Sequence, residues 1–142
     1  MPKDCKKLRH HLKFLTGDIL TGARLSKNQP GSNPACNLCL SSYETIEHIL
    51  TVCSALSDVH QRLYPELMNV VNAVQPSNKI MQSHSTSILT QFILDCTSMN
   101  LENDYRIPAN NPNIHEIFSL SRDWCLAVAY SRTKQLSIFK NT

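Results

Sequence analysis

Four potential metal ligands stand out in the chain, at spacings that suit a single metal ion. They follow the pattern Cys-x2-Cys…His-x4-Cys and comprise Cys36, Cys39, His48 and Cys53. We call these residues the four-ligand cluster. Cysteine thiolates and histidine nitrogens are the ligands with which Zn²⁺ forms closed tetrahedral sites. The pattern therefore predicts a Zn²⁺ cofactor with a structural role.

A catalytic zinc is the alternative chemistry for the same segment. A catalytic site keeps one coordination position open for water and has an acid or base nearby. Glu44 and Glu47 are close to His48 in sequence, but the fourth protein ligand fills the site. His60, seven residues after Cys53, is an alternative ligand. We expect no catalytic residues and no enzymatic activity.

Helical periodicity runs through most of the chain and predicts a mainly α-helical fold. Apolar residues recur three or four positions apart in 4–16, 54–74, 85–97 and 114–128. No alternating pattern of the kind that indicates a strand is evident. Pro65 is expected to interrupt or restart its helix. The apolar stripe predicted for the first helix consists of Leu8, Leu12, Leu15 and Ile19 and runs slightly past the end of the helix.

The helix that carries His48 must position two of the four ligands. Ser41 and Glu44 fit a capping box, which predicts a helix that begins near Ser42. His48 and Cys53 are five residues apart, so on a regular α-helix they would point about 140° away from each other. We therefore expect the helix to end or loosen between them.

Positive charge is concentrated at the start of the chain. The net charge is +3, yet residues 1–27 hold seven basic and two acidic side chains, a local charge of +5. Such segments bind nucleic-acid phosphates without reading bases, although a solvated helix face has the same composition. The residues predicted to contact RNA or DNA are Lys6, Lys7, Arg9, Lys13, Arg24 and Lys27.

Segments 12–17, 36–39 and 44–56 together resemble the zinc-binding region at the C-terminal end of non-LTR retrotransposon reverse transcriptases. In that family a Leu-Thr-Gly segment leads to a Cys-x2-Cys knuckle and then to a Glu-x-x-x-His-x4-Cys segment. Leu40 and Ser54 depart from the Gly and Pro that are common there. The resemblance implies that the four-ligand cluster holds the metal and that other reverse-transcriptase domains are partners.

Polymerase chemistry is not expected, because it needs paired aspartates that hold two Mg²⁺ ions and the chain has no Asp-Asp pair. We predict a nucleic-acid-binding accessory module with structural zinc. The alternative is a protein–protein interaction or scaffold module with structural zinc, as a fragment or domesticated remnant of a larger protein. Residues 1–76 are predicted to form the basic helix and the CCHC zinc-binding module. Residues 77–142 are predicted to form a helical region packed on it, with a flexible Asn/Pro-rich loop near 100–113.

The expected environment is intracellular, in the nucleus or the cytoplasm. No apolar run approaches the roughly 20 residues of a membrane span, and the N-terminal residues lack the apolar core of a signal peptide. We therefore expect no membrane contact and no disulfides. Cys5, Cys96 and Cys125 are predicted to be free, buried side chains.

Overall fold

The computed structural model describes residues 3–19, 21–29, 31, 33–41, 43–74 and 85–140. This part of the chain forms five α-helices: α1 (Lys3–Leu15), α2 (Gly22–Asn28), α3 (Ser57–Val74), α4 (Thr86–Leu94) and α5 (Ile114–Lys140). A π-helical turn (His48–Val52) and a 3-10 turn (Ser54–Leu56) precede α3. The described residues contain no strand, so the mainly α-helical prediction is confirmed.

Helix α5 forms the centre of the fold, with α1 and α3 packed along it. The apolar periodicity over 114–128 predicted a helix with Ile117, Leu120, Trp124 and Val128 on one face. Ile117, Trp124 and Val128 are buried and Leu120 is half-buried, so this prediction is confirmed. The Trp124 indole N–H donates to the Leu50 carbonyl oxygen at 2.8 Å, which satisfies a buried donor and joins α5 to the π-helical turn. The core therefore fixes one of the segments that carry metal ligands.

Helix α1 packs with a face other than the predicted one. Phe14 and His11 are buried against the core, and His11 Nε2 lies 2.8 Å from the Leu94 carbonyl oxygen. Burial lowers the pKa of His11, which favours the neutral ring in this position. The predicted stripe is wrong over Leu8, Leu12 and Leu15, whose side chains remain 39%, 46% and 44% exposed. Ile19, past the end of α1, does pack against the core.

Pro65 lies inside α3 and does not interrupt it, contrary to the prediction. A proline in a helix lacks the N–H that would bond to the carbonyl four residues earlier. Pro65 and Gln61 are both on the exposed side of α3, so solvent can hydrate the Gln61 carbonyl. Pro76, predicted to end this helix, lies outside the described residues.

Residues 95–113 connect α4 to α5 without a regular element. Leu101 and Ile107 are buried, and the Ile107 N–H donates to the Cys96 carbonyl oxygen at 2.8 Å. The flexibility predicted near 100–113 and the division into 1–76 and 77–142 stay predictions.

Three cysteines lie outside the four-ligand cluster. Cys96 and Cys125 are buried as predicted, and burial raises the pKa of the Cys96 thiol to about 12. Cys5 is exposed, so its predicted burial is wrong. Cys5 lies on the same exposed side of α1 as Leu8 and Leu12. Burial was predicted because Cys5 belongs to the same apolar pattern as these leucines, and that side of the helix does not pack on the core.

Candidate metal centre

The π-helical turn positions two of the four ligands. The Cys53 N–H donates to the His48 carbonyl oxygen at 2.8 Å, a bond that spans five residues. This wider winding brings residues five apart close to one full turn, so both side chains point the same way. The Thr51 hydroxyl donates to the Glu47 carbonyl oxygen at 2.9 Å and satisfies an acceptor within the widened turn. The expected loosening between His48 and Cys53 is confirmed.

The other two ligands sit on a tight turn. The Leu40 N–H donates to the Cys36 carbonyl oxygen at 2.9 Å, which closes the turn over 36–40. An isolated antiparallel bridge between Ala35 and Tyr43 holds the two ends of this segment together. Leu40 is 76% exposed with a φ of 61°, in the left-handed region that favours glycine.

The backbone of Leu40 gives a test of this turn. Leu40→Gly is expected to be more stable than Leu40→Ala by about 1 kcal/mol, because only glycine adopts the left-handed region without a Cβ clash. The comparison needs chemical denaturation of the two variants, with the metal content held equal. Equal unfolding free energies would contradict this conformation at position 40.

The four ligand atoms converge on one point. They all lie within 4.8 Å of one another. Cys36 Sγ is 3.8 Å from Cys53 Sγ, and Cys39 Sγ is 3.3 Å from His48 Nε2. An ion at the centre of a tetrahedron with Zn–S bonds of about 2.3 Å would place two sulfurs about 3.8 Å apart. The cluster could therefore hold a metal ion. The cysteines are free, since a disulfide would require about 2.05 Å between sulfurs.

The three thiols of the cluster differ in acidity. Burial raises the pKa of Cys36, and it raises that of Cys53 to about 12. At Cys39 burial also raises the pKa, but hydrogen bonds from the Ser41 hydroxyl and backbone outweigh it and lower the pKa to about 6. Cys39 is therefore the thiolate that is present at neutral pH before a metal arrives.

These pKa shifts predict how many protons a metal displaces. At pH 7.5 Cys39 has largely lost its proton, whereas Cys36 and Cys53 retain theirs. Binding of Zn²⁺ to three thiolates should then release about two protons, and the zinc affinity should fall as the pH is lowered. Calorimetry in buffers of different ionisation enthalpy measures the number released. No proton release, or an affinity that ignores pH, would contradict thiolate coordination.

Glu44 does not cap a helix, so the capping-box prediction is wrong. The Thr45 hydroxyl oxygen accepts the His48 N–H at 3.1 Å, and the helical turn begins after Thr45 rather than near Ser42. Glu44 is 2% exposed, and its Oε1 accepts a hydrogen bond from Arg132 Nη2 at 2.9 Å. The buried position of this carboxylate therefore depends on Arg132, which is 88 residues away in sequence.

His60 is not part of the cluster. Its Nε2 lies 3.1 Å from the Ile49 carbonyl oxygen, and its ring stacks on Trp124 with 6.0 Å between centroids. Burial lowers the pKa of His60. The ring therefore packs in the core next to the π-helical turn, and the geometry does not support it as an alternative ligand.

The basic residues predicted to contact nucleic acid occupy different environments. Lys6 and Arg9 are exposed and Lys13 is half-buried, at positions i, i+3 and i+7 that share one side of α1. Lys7 is off this side, only 14% exposed in its side chain, and its Nζ pairs with Asp123 Oδ1 of α5 at 2.5 Å. We call Lys6, Arg9 and Lys13 the basic stripe.

The two remaining basic residues are on or near α2. Arg24 is exposed and forms an ion pair with Asp18, with 3.4 Å between Nη1 and Oδ1. Lys27 is exposed in the last turn of α2. Nucleic-acid contact by all six residues stays a prediction.

Comparisons of the chain with protein-family models, with curated proteins and with solved structures find no match. The resemblance to reverse-transcriptase tails therefore depends on the sequence motifs alone. No helix in the described part of the chain is both long and apolar enough to cross a membrane.

Proposed function

We propose that this chain is a non-catalytic accessory module that binds one structural Zn²⁺ and contacts nucleic acid. The observation that carries the first part is the convergence of three sulfurs and one imidazole nitrogen within 4.8 Å. Three thiolates and one imidazole form the soft ligand set that suits Zn²⁺, and four protein ligands leave no position for substrate. The same spacing in reverse-transcriptase tails supports a CCHC zinc knuckle.

A structural ion at this place would connect two separate segments. One is the turn over 36–40, in which Cys36 and Leu38 are buried. The other is the π-helical turn, which the hydrogen bond between Trp124 and Leu50 anchors to α5. A hydrogen bond from the Glu44 N–H to the Pro34 carbonyl oxygen also holds the segment that carries the turn over 36–40. The metal would thus join this turn directly to the π-helical turn, in addition to the apolar contacts of Cys36 and Leu38 with the core.

The basic stripe supports the nucleic-acid part of the proposal. Lys6, Arg9 and Lys13 place three positive charges along about two turns of α1, where phosphates can reach them. The proposal is tested by native mass spectrometry for the metal content, followed by binding to RNA and DNA over a series of salt concentrations. One zinc per chain and salt-sensitive binding are expected. A metal-free chain would contradict the proposed zinc binding. No binding to RNA or DNA at about 50 mM salt would contradict the proposed contact with nucleic acid.

A protein-interaction role is the second candidate, and one observation favours it. Leu8, Leu12 and Leu15 form an exposed apolar strip on α1 beside the basic stripe. Replacing the three leucines with Gln should leave the affinity for a fluorescent RNA or DNA duplex unchanged if the strip serves protein contacts alone. A marked loss of that affinity would show instead that the strip belongs to the nucleic-acid surface.

A further inference from the structure

Glu44 is a buried acidic residue in direct contact with the four-ligand cluster. Its Oε2 accepts a hydrogen bond from the Cys36 thiol, with 3.7 Å between sulfur and oxygen. Its Oε1 accepts from the Gly22 N–H at 2.8 Å. Arg132 of α5 holds both oxygens, with Nη2 2.9 Å from Oε1 and Nε 3.3 Å from Oε2. One carboxylate therefore contacts a metal ligand, the start of α2 and the last helix.

The approach of α2 to this carboxylate depends on Gly22. A Cβ at this position would lie 2.7 Å from the Pro34 carbonyl oxygen, closer than the backbone can tolerate. Gly22 begins α2 and presents its N–H to Glu44. The local sequence is thus adapted to bring a backbone donor to the buried carboxylate.

The charge of Glu44 has to be compensated when a metal binds. The Cys36 sulfur is then a thiolate and can no longer donate to Oε2. Three thiolates and one Zn²⁺ have a net charge of about −1, so the site repels the buried carboxylate unless a further cation is held beside it. Arg132 supplies that cation in a two-nitrogen contact with both carboxylate oxygens, which is the strong geometry for this pair.

We propose that Glu44 and Arg132 form the outer shell of the metal centre and couple metal binding to the docking of α5. This inference rests on the proposed binding of Zn²⁺. Arg132 acts as a positioning residue: it neutralises and orients Glu44, which in turn orients Cys36 and the start of α2. A metal in the cluster then stabilises the second half of α5, and a docked α5 raises the metal affinity, because linkage acts equally in both directions.

A double-mutant cycle on the full chain tests this coupling. Zinc affinity is measured by competition with a chromophoric chelator for wild type, Arg132→Met, Glu44→Gln and the double variant. Arg132→Met is expected to weaken zinc binding by about 10- to 100-fold, the usual effect of losing an outer-shell partner. In the Glu44→Gln background, Arg132→Met should lower the zinc affinity by less than about threefold, because no buried negative charge is then left unpaired.

Lys7→Met is the matched control. It removes another ion pair to α5, with Asp123, that does not contact the cluster. It is expected to keep the zinc affinity within about twofold of wild type even if the fold is less stable. If Arg132→Met fails to fold, Arg132→Lys takes its place, because it keeps the charge but not the two-nitrogen contact; its zinc affinity is expected to be lower than that of wild type.

Hydrogen exchange provides a readout that does not depend on affinity. In wild type, zinc should slow amide exchange in 126–136 as well as in 36–53, whereas in Arg132→Met it should slow exchange in 36–53 alone. Two results would overturn the coupling and leave zinc binding intact. One is a zinc affinity for Arg132→Met equal to that of Lys7→Met. The other is an equal loss of zinc affinity when Arg132→Met is introduced into wild type and into Glu44→Gln. A wild-type chain without zinc would overturn both proposals.

Discussion

Cys53→Ser is expected to abolish stoichiometric zinc binding. The substitution removes the thiolate that the π-helical turn aligns with His48, so the three remaining protein ligands leave one position of the tetrahedron to water and hold the ion more weakly. At free zinc of about 1,000 times its dissociation constant, the metal should stabilise wild type by about 4 kcal/mol, and this stabilisation should vanish in the variant. Native mass spectrometry gives the zinc content, and chemical denaturation with and without zinc gives the stabilisation.

Two variants control for this result. Cys5→Ser changes a cysteine that is exposed on α1 and not part of the cluster, so it should bind one zinc like wild type. His60→Ala removes the alternative ligand suggested by the sequence, and it should also keep one zinc per chain, although it disturbs the contact with Trp124. An unchanged one-to-one zinc content in Cys53→Ser would show that the ligand assignment is wrong.

Removal of the basic stripe is expected to have the largest effect on nucleic-acid binding. If Lys6, Arg9 and Lys13 each contact one phosphate, the log–log salt slope on duplex has a contribution of about −2.7 from them. Replacing all three with Gln should remove that contribution and weaken binding by about 10³-fold at 50 mM salt. Fluorescence anisotropy with labelled RNA and DNA duplexes, from about 50 to 200 mM salt, measures both quantities.

Charge removal elsewhere provides the control for the basic stripe. Arg62 and Lys134 are exposed on α3 and α5, so replacing both with Gln should alter affinity much less than the Lys6→Gln/Arg9→Gln pair does. Lys7→Gln should mainly lower stability, because Lys7 is paired with Asp123. Wild-type affinity in the basic-stripe variant would favour the protein-interaction role.

The convergence of the four-ligand cluster was predictable because its signal is local in sequence. Two ligand pairs at permitted spacings restrict the geometry before any tertiary contact is considered. The 140° mismatch between His48 and Cys53 on an α-helix also predicted that the helix must change its winding there, and the structure has a π-helical turn at this position.

Features that depend on distant contacts were not predictable in the same way. The leucines of α1 have helical periodicity, but the face that packs is the one with Phe14 and His11, because α4 offers the Leu94 carbonyl as a partner for the ring. Glu44 fits a local capping signal, yet Arg132 of α5 determines its position. A spacing pattern shows which residues share a helix face and cannot show which face finds a partner.

X-ray absorption at the zinc edge of the zinc-loaded full chain tests the proposed coordination most directly. The expected first shell contains three sulfurs at about 2.3 Å and one nitrogen at about 2.0–2.1 Å, with one zinc per chain. A shell dominated by oxygen, or one with fewer than three sulfurs, would contradict the assignment of Cys36, Cys39, His48 and Cys53 as the ligands of a closed structural site.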